Sequence, residues 1–140
     1  LTGVGPGVGE HVAKAYAELG ANVFISARSP DRLDRIAAEI NALQGGRALA
    51  VAADAANKVD LENLVARARE AFGPIHIVFN NAAAGVVYAH DGGLWANSDE
   101  VWKAAMDVNV MATWRLKHSI AGYAPEEIRM PFLSPQMHSY

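Results

Sequence analysis

The sequence contains no cysteine, which excludes disulfides, zinc–thiolate sites and cysteine nucleophiles at once. It has no uninterrupted apolar run near the roughly 20 residues that a membrane-spanning helix requires. Basic residues are in the minority. Twelve Lys and Arg against 15 Asp and Glu leave a net charge of −3, so no basic surface recommends a nucleic acid or an anionic membrane as partner. No charged leader followed by an apolar stretch is visible, and a reducing cytoplasm is the expected location. The five histidines (11, 76, 90, 118 and 138) show no metal-ligand spacing on one helix face, so no metal site is expected. An initiator methionine is missing too. The chain opens on Leu1-Thr2 and enters a glycine-rich loop that normally follows a full strand, so a domain cut at its start is expected.

What is present suits one globular domain: 140 residues, 51% apolar and 19% charged. Segments of two periods alternate along it. Gly7 to Leu19 carries Val8, Val12, Tyr16 and Leu19 at the spacing of one helix face, with Gly20 placed to end it. Val23-Phe24-Ile25 is a short β-prone run, apolar enough for a buried parallel strand. Ser29-Pro30-Asp31 has the chemistry of an N-cap, a first-position proline and an acidic first turn, followed by Leu33, Ile36, Ala37, Ile40 and Leu43 on one face. After Gly45-Gly46, residues 48–53 form a run centred on Leu49 and Val51. A third helix directs Leu61, Leu64, Val65, Ala68 and Phe72 inward and stops at Gly73-Pro74, and residues 75–79 are expected to form another strand. Ser98-Asp99-Glu100 starts a long helix through Val101, Trp102, Ala105, Val108 and Ala112 toward Leu116. This alternation predicts βαβ units with helices on both faces of a parallel sheet. Residues 119–140 hold Pro125, Pro131 and Pro135 and no β-branched run, so an irregular tail is expected where a buried strand should follow.

Thr2-Gly3-Val4-Gly5-Pro6-Gly7-Val8-Gly9 lies between the strand stub and the first helix. Glycines in such a place let backbone approach a pyrophosphate, whose charge meets free N–H groups and the positive helix end. The spacing G-x-G-x-x-G fails, since Val8 or Glu10 stands where its last glycine belongs, and no Gly-Lys-Ser/Thr ending marks a P-loop. T-G-x-x-x-G-x-G fits, through Thr2, Gly3, Gly7 and Gly9. Asp54 then ends the third strand, Asn80-Asn81-Ala82-Ala83 follows the fourth, and Asn109 sits in Asp107-Val108-Asn109-Val110 on the long helix. In combination these resemble the short-chain dehydrogenase/reductase family from Leu1 to about His118. Ala83 departs from the glycine that ends the family's N-N-A-G.

The resemblance implies an α/β Rossmann-type fold, a doubly wound three-layer α/β/α domain over residues 1–118, truncated at both ends, with 119–140 as the irregular tail. It implies cofactor contacts from Thr2, Gly3, Gly7, Val8, Gly9, Arg28, Asp54, Asn81 and Ala82, with Asp54 bonding the adenine ring. An NAD-selective member would place an acid at the end of the second strand; here Ala27 holds that position and Arg28 follows, which points to the 2′-phosphate of NADP(H). The implied reaction is hydride exchange with a carbonyl, alcohol or activated double bond of a small substrate. Asn109 is the implied helix member of the catalytic set, and a homo-oligomer formed through the long helix is implied for a full-length member. Trp95, Trp102 and Trp114 suit packing or subunit contact.

The family's tyrosine needs a lysine four residues on. Tyr16, Tyr88 and Tyr123 are followed at that spacing by Gly20, Gly92 and Glu127, and Tyr140 is the last residue. Tyr140 is thus the one remaining catalytic candidate, and the chain by itself is expected to be inactive. The competing readings are a non-catalytic remnant and a dinucleotide-binding regulator on the same fold.

Overall fold

A computed structural model describes residues 1–84 and 97–121. In chain order it contains helix α1 (Val8–Glu18), strand β1 (Asn22–Ala27), helix α2 (Pro30–Asn41), strand β2 (Arg47–Ala52), helix α3 (Lys58–Phe72), helix α4 (Asp99–Met106), a π-helical segment (Asp107–Met111) and helix α5 (Ala112–Ala121).

Strands β1 and β2 run parallel, in register from Asn22 opposite Arg47 to Ala27 opposite Ala52. The chain start lies along the other side of β1. Thr2 makes parallel bridges to Ser26 and to Asn80, and the Thr2 N–H donates to the Phe79 carbonyl at 3.0 Å. The lateral order is therefore β2, β1, the first residues, then the end of the 75–80 run. The Leu1 nitrogen donates to the Phe24 carbonyl at 2.8 Å.

Successive side chains of β1 point to opposite faces of the sheet, and each face has its own core. Val23 and Ile25 pack with Val4, Ala13, Leu33, Ile36 and Ile40 under α1 and α2. Phe24 and Val51 pack with Leu61, Leu64, Val65, Ala112 and Leu116 under α3 and α5. Helices thus cover both faces of a parallel sheet, the three-layer α/β arrangement.

Four expectations need correction. In α1 the buried positions are Gly9, Ala13 and Ala17, whereas Val8 and Leu19 are 65% and 84% exposed. The period is right and the face is off by one residue, because small side chains let the helix backbone approach the sheet. Residues 75–79 form no strand: only the end of the run meets a ladder partner, where the Phe79 carbonyl accepts from the Thr2 N–H and Asn80 bridges Thr2. Ile77 and Val78 are accordingly exposed. The long helix is not uniform, for the π-helical turn widens it at Asp107–Met111. Lastly, helix continues to Ala121, so residues 119–121 do not belong to an irregular tail; the Ser119 hydroxyl donates to the Arg115 carbonyl at 3.0 Å. Residues 122–140, with Tyr123 and Tyr140, lie outside the described residues, as do Tyr88, His90 and Trp95.

Candidate cofactor site

The carboxyl ends of β1 and β2, the glycine loop and the 81–84 turn converge on a cavity of about 370 Å³. Clefts at the carboxyl ends of parallel strands are where α/β sheets take ligands. The loop gets there by close backbone packing. Gly3 has φ 68°, and a Cβ on it would lie 2.4 Å from both the N and Cα of Ala82. A Cβ on Gly9 would come within 3.0 Å of Val4 Cα and of the Asn81 amide nitrogen. That nitrogen donates to the Gly3 carbonyl at 2.8 Å, so Asn81 is wedged between the loop and the helix start.

Gly7 is the N-cap of α1, at φ 104°, with open space around the position of a Cβ. The bonded ladder of the helix begins with Glu10, whose N–H donates to the Gly5 carbonyl at 3.3 Å. The N–H groups of Val8 and Gly9 therefore have no backbone acceptor among the described residues. Unpaired amides at an open helix start fit a diphosphate. Gly9 itself serves the packing of that helix against the loop.

Of the residues singled out from sequence, Thr2, Gly3, Arg28, Asp54, Asn81 and Ala82 line the one cavity. Gly7, Val8 and Gly9 stand at the helix start outside its lining, with the Val8 side chain exposed. One carboxylate oxygen of Asp54 accepts from the Ala56 N–H at 2.9 Å, an Asx turn that fixes where the carboxylate sits after β2. Asn109 lies in the π-helical segment and spends both ends of its amide on one residue. Its Oδ1 accepts from the Ala84 N–H at 2.9 Å and its Nδ2 donates to the Ala84 carbonyl at 3.2 Å. It thereby ties the cavity-lining Ala84 to the helix. Beside it, a hydrogen bond from Lys103, with the Arg115 guanidinium adding to it, holds the Asp107 carboxyl below the usual carboxylate range. Arg115 also donates to the Ala56 carbonyl at 2.8 Å, joining the turn after Asp54 to the segment that carries Asn109.

Sequence reasoning missed Arg32, Ser29 and Val108, which also line the cavity. The signal for Arg32 was available: it follows Arg28 by four residues across a helix start.

Residues 1–126 match the profile of the family described as short chain dehydrogenase. The chain belongs to that family. Among similar proteins, the 2,3-dihydro-2,3-dihydroxybenzoate dehydrogenase of Bacillus subtilis is 31% identical over 123 residues, 88% of this chain and 45% of its own length. An alcohol dehydrogenase from Thermococcus sibiricus, solved with 5-hydroxy-NADP, superposes with a TM-score of 0.78 at 30% identity, over 87% of this chain and 50% of its own. L-Sorbose reductase from Gluconobacter frateurii, solved with NADPH and L-sorbose, gives 0.78 at 31% identity, over 87% and 45%. This short chain dehydrogenase sequence thus spans about half the length of the relatives it matches.

The glycines differ in what they tolerate, and this orders their variants. Gly5 has no positive φ, and a Cβ there would meet only the Arg32 guanidinium at 3.8 Å, whereas Gly9 faces backbone at 3.0 Å. Gly5→Ala should leave the urea midpoint close to that of the parent, and Gly9→Ala should cost about 1–3 kcal/mol. Equal midpoints for the two variants would contradict the packing described for Gly9.

Proposed function

We propose that this chain is the dinucleotide-binding part of an oxidoreductase that moves hydride between NADP(H) and a carbonyl, alcohol or activated double bond of a small substrate. The observation that carries the reading is the cavity at the strand ends, where the glycine loop and Arg28 meet and no carboxylate stands at the end of β1. Val8 and Gly9 would offer their N–H groups to the pyrophosphate, Asp54 would accept from the adenine, and Thr2, Gly3, Asn81 and Ala82 would form the wall beside the nicotinamide half. The cofactor supplies the hydride chemistry. Asn109, bonded through its side chain to Ala84, would act by holding the 81–84 turn in place and leave its own backbone carbonyl to a proton relay.

The NADP(H) preference follows from charge. Two of the similar structures carry NADP-type cofactors, and no ion pair joins Arg28 to a carboxylate among the described residues. A charge-assisted hydrogen bond to phosphate is worth about 1.5–3 kcal/mol, roughly one to two decades in affinity. Arg28→Ala should weaken NADPH at least about tenfold in a binding titration and leave NADH nearly unchanged. Equal weakening of both, or of neither, refutes the assignment.

Hydride transfer by these 140 residues alone is not expected, because none of Tyr16, Tyr88 and Tyr123 has the lysine partner that depresses a tyrosine from its ordinary pKa near 10. NADPH absorbance with a panel of carbonyl substrates should fall at the uncatalysed rate. Turnover that disappears in Asn109→Ala would show that another proton donor is present.

A homo-oligomer is part of the same proposal. Trp102, Met106, Val110 and Trp114 recur every four residues along α4, the π-helical segment and α5 and are 39–53% exposed, a stripe of apolar surface that a second helix would cover. Trp114→Asp together with Met106→Asp should shift the sedimentation coefficient to that of a monomer; a wild-type chain that sediments as a monomer at high concentration removes this part.

A further inference from the structure

Six basic side chains of the described residues hold a carboxylate, a carbonyl or an aromatic ring, whereas two guanidinia without such a partner line the cavity together. Lys14 and Arg35 clasp Glu10 and Glu39 between α1 and α2. Lys58 and Lys103 pair with a carboxylate one turn along, Arg115 holds Asp107 and Ala56, and Arg47 lies over the Phe72 ring. Arg28 and Arg32 line the same cavity, and neither has an ion pair or side-chain hydrogen bond among the described residues. Arg32 contrasts with Arg35, which stands less than one turn further along α2 and is bound to two glutamates.

The position of Arg32 is unfavourable for the protein by itself. It is a cation in the first turn of α2, where the helix dipole is positive and a carboxylate is preferred, and it shares the cavity with a second guanidinium. Asp31 in the same turn is not part of the cavity wall, and the carboxylate that is, Asp54, follows the other strand and is engaged with Ala56 N–H. Arg32 also faces the loop: a Cβ on Gly5 would stand 3.8 Å from its Nη1, an ordinary contact distance that places the guanidinium beside the glycine loop. An unpaired cation pair in one cleft is relieved by an anion that both can bond.

We propose, building on the NADP(H) reading of this cavity, that Arg32 is a second specificity-determining side chain and that its guanidinium and that of Arg28 together hold the ribose 2′-phosphate. The alternative for a cation beside the glycine loop is a contact with the pyrophosphate, which NAD and NADP share, and the two assignments predict different results.

The test uses the 140-residue chain with uniform 15N labelling, because titration by NMR tolerates millimolar affinity. Arginine Nε–H signals and backbone amides are followed with NADP+ and, separately, with NAD+. The wild-type chain should bind NADP+ more tightly, with the Arg28 and Arg32 Nε–H signals both moving for NADP+ and much less for NAD+. Arg32→Ala should weaken NADP+ about tenfold and leave NAD+ unchanged, and Arg32→Lys should recover part of the loss. Because both guanidinia address one phosphate, the double variant with Arg28→Ala should lose less than the product of the single losses. Arg32 is exposed, so preserved amide dispersion is expected in both variants. A chain that prefers NADP+ through Arg28 while Arg32→Ala changes nothing overturns the role of Arg32 and leaves the cofactor reading standing. Equal weakening of both dinucleotides by Arg32→Ala overturns it in favour of a pyrophosphate contact. A folded chain that binds neither dinucleotide overturns the cofactor reading and the Arg32 assignment with it.

Discussion

The backbone of Gly3 lies against the backbone of Asn81 and Ala82 at a separation that no side chain would permit, with a Cβ on Gly3 only 2.4 Å from Ala82 Cα. Much of the site depends on this approach. It lets Thr2 bridge Ser26 on one side and Asn80 on the other, so that residues far apart in sequence are joined through the start of the glycine loop. It brings the Asn81 amide within reach of the Gly3 carbonyl, and it closes one wall of the cavity. Gly9 repeats the condition from the far side, where helix α1 rests on Val4 and Asn81. The glycine loop is thus first a packing device. Its open helix start is what remains when that packing has been met.

Where the strands end, side chains take over the work of a ladder. Asn41, at the end of α2, donates to the Ala48 carbonyl at 3.0 Å and accepts from the Ala48 N–H at 2.8 Å. Asn109 does the same for Ala84. An amide side chain presents one donor and one acceptor at the spacing of a peptide group, so a single asparagine can satisfy both polar groups of a residue on the side where no strand pairs with it. Asn57 caps α3 by accepting from the Val59 and Asp60 N–H groups, and Asp54 closes its own turn. The cavity is therefore bordered, at the 81–84 turn and the Asp54 loop, by turns with backbone groups already engaged by side chains.

Much of this was legible in the sequence. The alternation of helical and β-prone segments, the caps at Ser29 and Ser98, and the stops at Gly20 and Gly73 appear in the structure close to their expected places. The errors have separate physical causes. The apolar stripe Val8, Val12, Tyr16 and Leu19 competed with a stripe of Gly9, Ala13 and Ala17, and close approach to the sheet outweighed side-chain size. Residues 75–79 have the composition of a strand, but a strand exists only where a neighbour pairs with it, and composition carries no information about neighbours. The π-helical turn leaves no mark on periodicity, because one added residue shifts the apolar face by an amount that a few residues cannot reveal. Arg32 lies outside the glycine loop and the strand ends from which the site was read, and only the folded chain sets it beside Gly5.

The charges around the cavity show why the π-helical segment bears on the site at all. Asp107 begins that segment and is bound by Lys103 from the preceding turn and by Arg115 two turns on. Arg115 is half of a second link, since its other nitrogen reaches the Ala56 carbonyl in the turn built by Asp54. The carboxylate is thus matched by two cations and adds little negative potential to the cavity behind it. The charged side chains that line the cavity are Arg28 and Arg32 on the side of β1 and Asp54 after β2, and no ion pair joins any of them to another residue among the described residues. Two guanidinia against one carboxylate leave the cavity with a positive balance, and the geometry sets the positive end at β1 and the carboxylate at β2. The Asp107–Arg115 ion pair, the Arg115 bond to the Ala56 carbonyl and the Ala56 N–H bond to Asp54 join the helical segment that carries Asn109 to the turn after β2.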